Sequence, residues 1–380
     1  MRTDPYKVII WGPGVLGSLL IREIAKKPEF ELSAVYAYSE EKNGRDAGEL
    51  AGAGPMGIAA STDREAVFAS PADVVFICPQ TTAPVDIDSD VAAVVCRFLA
   101  SGTNVVCAPA FHWAILHGQE LVDKLEAACA RGGTTIHSTG INPGLLNERW
   151  LPVFTTAMTR IKHIVVQEIN NNAPIDSVNM MTAIGYGQPP SYDTQPIVMQ
   201  LGMRYYHETL AHAVHILGHT VERIDDDYEW LIADKDYEHK AIKVPAGTIN
   251  GIIHRYTAIV DGEPFIRLEE IFYGGADQRP VDVKYDDCWT LTIEGEPTSA
   301  RIEIAMMASI ENNTQFVDGD STLPAYYATG VPMLQAVPLV VAAKPGILYP
   351  TQFSNYKPDL RVLEADTSTF SAESASVARR

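Results

Sequence analysis

The stretch that most restricts how this chain can fold is its opening, Tyr6-Lys7-Val8-Ile9-Ile10-Trp11-Gly12-Pro13-Gly14-Val15-Leu16-Gly17. A run of strand-forming residues meets glycines spaced G-x-G-x-x-G, and a helical pattern follows over residues 15–27. Each glycine has its own mechanical task. Gly12 permits the tight turn off the strand, Gly14 lets backbone approach a pyrophosphate, and Gly17 lets the helix lie against the strand. Phosphates then sit where unpaired N–H groups and the helix dipole favour negative charge. Pro13 suits this entry, since its φ is fixed and it has no N–H to offer. Taken alone the spacing is weak evidence. Here a strand precedes it, a helix follows, and a second strand is expected over residues 31–38. The competing explanation is a glycine-rich strand-to-helix turn in an α/β fold that binds no nucleotide.

The rest of the first half repeats this alternation. Residues 71–80 read as a buried strand, since 74–78 is a continuous apolar run of the kind typical of parallel sheets. A helix is expected over residues 89–100, a strand over 104–108, a helix over 118–131 and a strand over 134–138. Strands alternating with helices predict a doubly wound parallel sheet with right-handed crossovers, an α/β Rossmann fold. Ligands of such sheets lie at the carboxyl ends of the strands. That puts Pro79 and Gln80, residues 108–112 and residues 139–142 around one crevice. The TGINPG turn at 139–144, with two glycines and a proline, makes a rigid, backbone-exposing loop. It reads as a nicotinamide or substrate loop through Asn142, as an interdomain joint, or as both.

From about residue 160 the pattern changes to successive strand-like segments joined by short turns, with one helix over 196–217. This is an α+β half with a mixed or antiparallel sheet. The organisation expected is a dinucleotide-binding domain over 1–145, a substrate and dimerisation domain over 146–322, a C-terminal helical segment over 323–365 packing back on the first domain, and a flexible tail over 366–380. The helix in that segment is expected at 325–341, broken by Pro332 and Pro338.

Composition narrows the partners. With 380 residues the chain suits two domains rather than one core. A net charge of −19 disfavours nucleic acid and anionic membranes, both of which need a basic face. No apolar run of membrane-spanning length is read from the sequence, and no leader pattern opens it. Five cysteines without CxxC spacing read as reduced thiols in a cytoplasmic protein.

For the cofactor, the expected contacts are Gly12, Pro13, Gly14, Val15, Leu16, Gly17, Tyr38, Ser39, Lys42, Arg45, Pro79, Ala108 and Asn142. An NAD site usually carries an acid at the end of the second strand. Here Tyr38-Ser39 ends it and Lys42 and Arg45 follow, which suits a 2′-phosphate and favours NADP. Glu40 and Glu41 keep NAD open. Hydride transfer also needs a proton donor or acceptor. His112 stands just past a strand's carboxyl end. Glu168 lies on the first strand of the second half, and Tyr186 sits between Gly185 and Gly187. Each also reads as a structural residue, as does His137. His212, His215 and His219 share a helix face and so pose a zinc question, but no metal is expected. Cys107 at a strand end raises thiohemiacetal chemistry, yet no neighbouring base activates it. Phe111, Trp113, Tyr186, Tyr192 and Met199 suit either a hydrophobic pocket or core packing.

The glycine turn, the segment YSEEKNGRDAGEL at 38–50, the TGINPG loop, IEGEP at 293–297, and QAVP with AAKPGIL at 335–348 together resemble the dihydrodipicolinate-reductase-like oxidoreductases. Within them the likeness is to the 2,4-diaminopentanoate dehydrogenase and native amine dehydrogenase branch. The resemblance implies a Rossmann domain, a mixed C-terminal domain and a final helix returning to the first. It also implies a homodimer and NAD(P)H-dependent interconversion of a small carbonyl plus ammonia with an amine. In those enzymes a glutamate just after the 104–108 strand binds the amine. Here that stretch reads Ala108-Pro109-Ala110-Phe111-His112-Trp113, with no carboxylate, and the histidine pair of dihydrodipicolinate reductase is missing too. Two alternatives therefore stand beside the amine enzyme: a ketone or aldehyde reductase, and a non-catalytic NAD(P)-binding sensor.

Overall fold

The computed structural model describes residues 4–79, 85–192, 197–317, 319–320 and 322–349, with side chains of 197–204 left aside. The strands in chain order are β1 Tyr6–Trp11, β2 Phe30–Tyr36, β3 Ala60–Ser61, β4 Val74–Ile77, β5 Asn104–Cys107, β6 Thr135–Ser138, β7 Arg160–Asn171, β8 Arg223–Ile232, β9 Tyr237–Glu238, β10 Lys243–Val244, β11 Ile249–Val260, β12 Glu263–Tyr273, β13 Cys288–Glu296, β14 Ala300–Ile304 and β15 Gly346–Ile347. The helices are α1 Val15–Ala25, α2 Ala47–Ala51, α3 Arg64–Phe68, α4 Asp90–Ala100, α5 Gln119–Gly132, α6 Leu151–Phe154, α7 Val178–Ile184, α8 Ile197–Ile216 and α9 Pro324–Ala342. The chain forms two compact units. The first combines Met1–Leu146 with Met306–Pro350, and the second takes in Asn147–Ala305. Gln80, the Met199 side chain and the tail at 366–380 lie outside the described residues.

The first unit is a seven-stranded sheet in the order β15-β6-β5-β4-β1-β2-β3, parallel at every pairing. Its central strands are apolar along their length because both faces are covered: Val8, Ile9, Ile10, Val74, Val75 and Phe76 are fully buried. Side chains set the helix starts. Ser89 Oγ accepts from Ala92 N at the head of α4, and Asp46 and Asp63 cap α2 and α3 in the same way. The sheet order reverses between β1 and β4, whose carboxyl ends are adjacent, and that is where ligands of such sheets sit.

The last helix departs from expectation in two ways. α9 runs unbroken through Pro332 and Pro338. Tertiary packing overrides the local cost of proline, since Met333, Leu334, Ala336, Val337 and Val340 are part of the first unit's core. Gly330 lets α9 lie against α1: a Cβ there would come 2.6 Å from Leu19 Cδ2. Secondly, by length and composition α9 is apolar enough to cross a membrane, contrary to the sequence reading. That apolar character is also what a helix packed against α1 and the first sheet requires.

The second unit carries a six-stranded mixed sheet, β14-β13-β7-β12-β11-β8. All pairs are antiparallel except β7 with β12. The turn at Asp261-Gly262 adopts positive φ at both residues, 53° and 79°, the geometry of a two-residue hairpin. Residues 243–260 form β10 and β11, with Gly247 at φ 80° in the turn between them.

Candidate active site

The glycine turn is built as its spacing demands. Gly12 has φ 102°, and a Cβ on it would run into the Cys78 carbonyl. A Cβ on Gly17 would run into the Gly12 carbonyl and lie 3.1 Å from Ile10 Cγ2, so this glycine brings α1 down onto β1. Gly14 differs. It has φ −80°, caps α1 with no side-chain hydrogen bond, and faces open space where a Cβ would stand. Pro13 is buried beside it, while Gly14 and Val15 are exposed and Leu16 is half-buried. The exposed helix N-terminus therefore offers backbone N–H groups with room for a diphosphate, and these residues fit a dinucleotide.

At the carboxyl ends of β1 and β2 the Trp11 and Tyr36 rings stack with centroids 4.0 Å apart, and Tyr38 meets Tyr36 edge-on at 5.1 Å. Ser39 precedes a short turn from which Lys42 Nζ donates to the Pro13 carbonyl at 2.7 Å. Lys42 is thus tied across the glycine turn, whereas Arg45 is exposed. One residue here escaped the sequence reading. Arg64 donates two hydrogen bonds to Asp90, at 2.6 and 2.7 Å, and its guanidinium lies over the Trp11 and Tyr36 rings. Only the folded sheet brings residues so far apart together, so local spacing gave no signal for it.

At the carboxyl ends of β4, β5 and β6 stand Pro79, Ala108 and the 139–144 loop, all within the first unit. Ala108 is buried, and Pro79 and Asn142 are half-buried. Phe111 has φ 64°, a left-handed conformation that a bulky residue adopts only at a cost of roughly 1–3 kcal/mol. Such strain marks functional turns, and this one turns the chain into His112. His112 is buried, and a Cβ on Gly144 would lie 3.6 Å from its Cε1. His112 and the TGINPG loop are therefore neighbours. α9 braces that loop, with Ile141 N donating to Thr329 Oγ1 at 3.4 Å. Ser138 Oγ donates to the Ala110 carbonyl at 2.7 Å and fixes the other side of the turn. His137 Nδ1 lies 2.7 Å from the Leu348 carbonyl, a structural clamp on β15. Cys107 is fully buried.

The other catalytic candidates belong to the second unit. Tyr186 packs among Met181, Ile184, Trp230 and Ile252, and burial pushes its hydroxyl far above the ordinary value. That environment suits packing rather than proton transfer. Glu168 is half-buried on β7, accepting from Asn170 Nδ2 at 3.3 Å. Phe111 and Trp113 are in the first unit, Trp113 against Tyr349, while Tyr192 is exposed in the second and stacked on Tyr228. The α8 histidines have separate partners: His207 Nε2 is 3.0 Å from Asp226 Oδ1, and His212 Nδ1 is 3.4 Å from Glu148 Oε2. Among the described residues no group of three or more His, Cys, Asp or Glu is disposed to hold a metal.

A doubly wound sheet with an open glycine cradle at its reversal point defines an NAD(P)-dependent oxidoreductase. Residues 6–83 match the N-terminal domain of dihydrodipicolinate reductase. An amine dehydrogenase of Streptomyces virginiae is 29% identical over 351 residues, covering 89% of this chain and 93% of its own. Among solved structures, an amine dehydrogenase from Mycobacterium smegmatis shares the fold at TM-score 0.70 and 20% identity, over 94% of this chain and 99% of its own. GenD2 from gentamicin A biosynthesis, solved with NAD, does so at TM-score 0.51 and 13% identity, over 100% and 96%. Over most of its length the chain is thus similar to amine dehydrogenases, and over its first strands and helices to dihydrodipicolinate reductase.

Proposed function

We propose that this protein is an NAD(P)H-dependent amine dehydrogenase that interconverts a small carbonyl compound plus ammonia with the corresponding amine. The observation that carries this is the end-to-end likeness to an amine dehydrogenase in a chain whose Gly14 cradle fits a diphosphate. When bound, the nicotinamide supplies or accepts the hydride. The protein's share is to hold the diphosphate at α1, to close the cradle with Lys42, and to present His112 and Asn142 beside it.

The cofactor we assign is NADP, because Ser39, Lys42 and Arg45 follow β2 where an NAD enzyme would carry an acid. Arg45→Ala should weaken NADPH binding by roughly 1–3 kcal/mol and leave NADH binding nearly unchanged, as loss of a charge-assisted contact predicts. Equal losses for both nucleotides would refute the 2′-phosphate assignment. A homodimer in the cytoplasm completes the proposal. The resemblance supports the dimer, which sedimentation equilibrium would read directly, and the five free cysteines support a reducing compartment.

A second reading is favoured by one observation: residues 108–113 contain no carboxylate to receive an amine. A ketone or aldehyde reductase would need none. Purified protein with NADPH and a panel of ketones and aldehydes, with and without ammonia, separates the two. Turnover that needs ammonia supports the amine dehydrogenase, and equal turnover without it supports the reductase. Tight NADPH binding without turnover supports a sensor.

A further inference from the structure

Beside the glycine cradle, the first unit carries a row of flat groups to which the chemistry above gives no task. Tyr38, just past β2, lies against the turn: a Cβ on Gly12 would come 3.1 Å from its Cε2. Its ring is 39% exposed, which leaves room for a ligand on it. Its hydroxyl is hydrogen-bonded to Trp11, and burial pushes that group up to about 12, so Tyr38 is neutral at neutral pH. Behind Tyr38 stand Tyr36, edge-on, and Trp11, stacked on Tyr36. Arg64 closes the row, its Nε donating to the Tyr36 hydroxyl at 3.2 Å. Both of its terminal nitrogens donate to Asp90, at the head of α4. The guanidinium is therefore a brace rather than a cation held ready for phosphate. It fixes Tyr36, and Tyr36 and Trp11 together fix Tyr38. All five residues belong to the first unit.

The geometry points to Tyr38 as the platform on which the cofactor's adenine stacks, with Arg64 as the positioning residue that holds the platform in place through Tyr36. This rests on the dinucleotide reading above. With the diphosphate at the head of α1, the adenosine ribose is read at the carboxyl end of β2. The base is one sugar further on, at the level of Tyr38. A purine offers two flat π faces, and aromatic side chains bind such faces whatever the base edge carries. A ring already held by its neighbours loses little freedom when the base arrives. Stacking reads the base and not the 2′ position, so the platform serves NADPH and NADH alike. That separates Tyr38 from Lys42 and Arg45, whose assigned partner is the 2′-phosphate.

Isothermal titration of the whole chain with NADPH, NADH and 5′-AMP tests the assignment. Tyr38→Ala should weaken all three by roughly 5- to 150-fold, the scale of one base–aromatic stack, while Tyr38→Phe keeps the ring and should stay within about threefold of wild type. Should Tyr38→Ala not fold, Tyr38→Leu, apolar but without a π face, carries the same expectation. Equal losses in the phenylalanine and alanine variants would overturn the platform, because the hydroxyl and not the ring would then be the contact. Etheno-AMP, a fluorescent adenine analogue, gives an independent sign. Its emission at saturation should be quenched on the wild type and recover on Tyr38→Ala. Arg64→Ala should lose part of that quenching and bind 5′-AMP about 3- to 10-fold more weakly, the scale of one hydrogen bond. Arg64→Lys should do no better, since an ammonium cannot grip Asp90 and Tyr36 together. Wild-type quenching in Arg64→Ala would overturn the brace. A wild type that takes up none of the three ligands would end the dinucleotide reading and the platform with it. Wild-type affinities in a folded Tyr38→Ala would end the platform alone.

Discussion

Single residues in the glycine turn separate folding from binding. Gly17 has no room for a methyl group, because the Gly12 carbonyl occupies the place. Gly17→Ala should cost roughly 1–3 kcal/mol of stability through overpacking, and differential scanning fluorimetry would register it. Gly14 faces open space with an ordinary φ. Gly14→Ala should leave the melting temperature nearly unchanged yet weaken both nucleotides, since the added methyl stands where the diphosphate would lie. Comparable destabilisation by the two substitutions would contradict this division of tasks. Glu270, buried on β12, offers a second contrast, in pH. Burial first, then the charge of Glu168, pushes its folded pKa up to about 8, while its unfolded value lies near the ordinary carboxylate range. Between those limits the native state holds a proton that the unfolded chain has released. The contribution of Glu270 to stability is therefore complete at acid pH and is lost as pH rises through about 8. Glu270→Gln cannot ionise, so it should be more stable than wild type at alkaline pH, by an amount on the order of a few kcal/mol. The two proteins should converge toward pH 5. An advantage that does not grow with pH would show that Glu270 is not protonated in the folded protein.

At the level of elements, most of the first sheet was legible because its signals are local. Strand β1, the glycine turn and α1 announce themselves within 20 residues, and α4 begins at the Ser89 cap that the sequence displays. Long-range pairing was not legible. Nothing near Glu168 in sequence shows that Glu270 will stand beside it, 102 residues on, or that Arg64 will reach Asp90 and lie over Trp11. α9 was misread for a related reason: Pro332 and Pro338 argue locally for a break, and burial against α1 outweighs them. This yields a clean test. Pro338 is exposed, whereas its neighbours Val337 and Val340 are buried in the core. In a helix interior proline costs about 3 kcal/mol relative to alanine, offset in part by its restriction of the unfolded chain. Pro338→Ala should thus stabilise the protein by roughly 1–2 kcal/mol in urea titration. A loss of stability instead would mean that the ring at 338 does packing of its own.

At the scale of the whole molecule, an anionic protein must admit an anionic cofactor. The net charge is −19, and NADPH is strongly negative. At roughly 10 mM salt the Debye length is about 30 Å, so much of that charge acts on an approaching nucleotide. At roughly 150 mM it falls to about 8 Å, and only groups close to the cradle, Lys42 and Arg45 among them, are felt. NADPH association should therefore quicken as salt rises from the first condition to the second, the reverse of electrostatically steered binding. Above that range the local charge-assisted contacts are themselves screened, and affinity should fall again. NADH lacks the 2′-phosphate and should show a shallower rise and almost no late fall. Arg45→Ala should keep the early rise for NADPH and lose part of the late fall. Stopped-flow nicotinamide fluorescence across a salt series measures all of these. A rate for NADPH that declines steadily from the lowest salt would mean that the cations after β2 outweigh the charge of the rest of the chain even at long range.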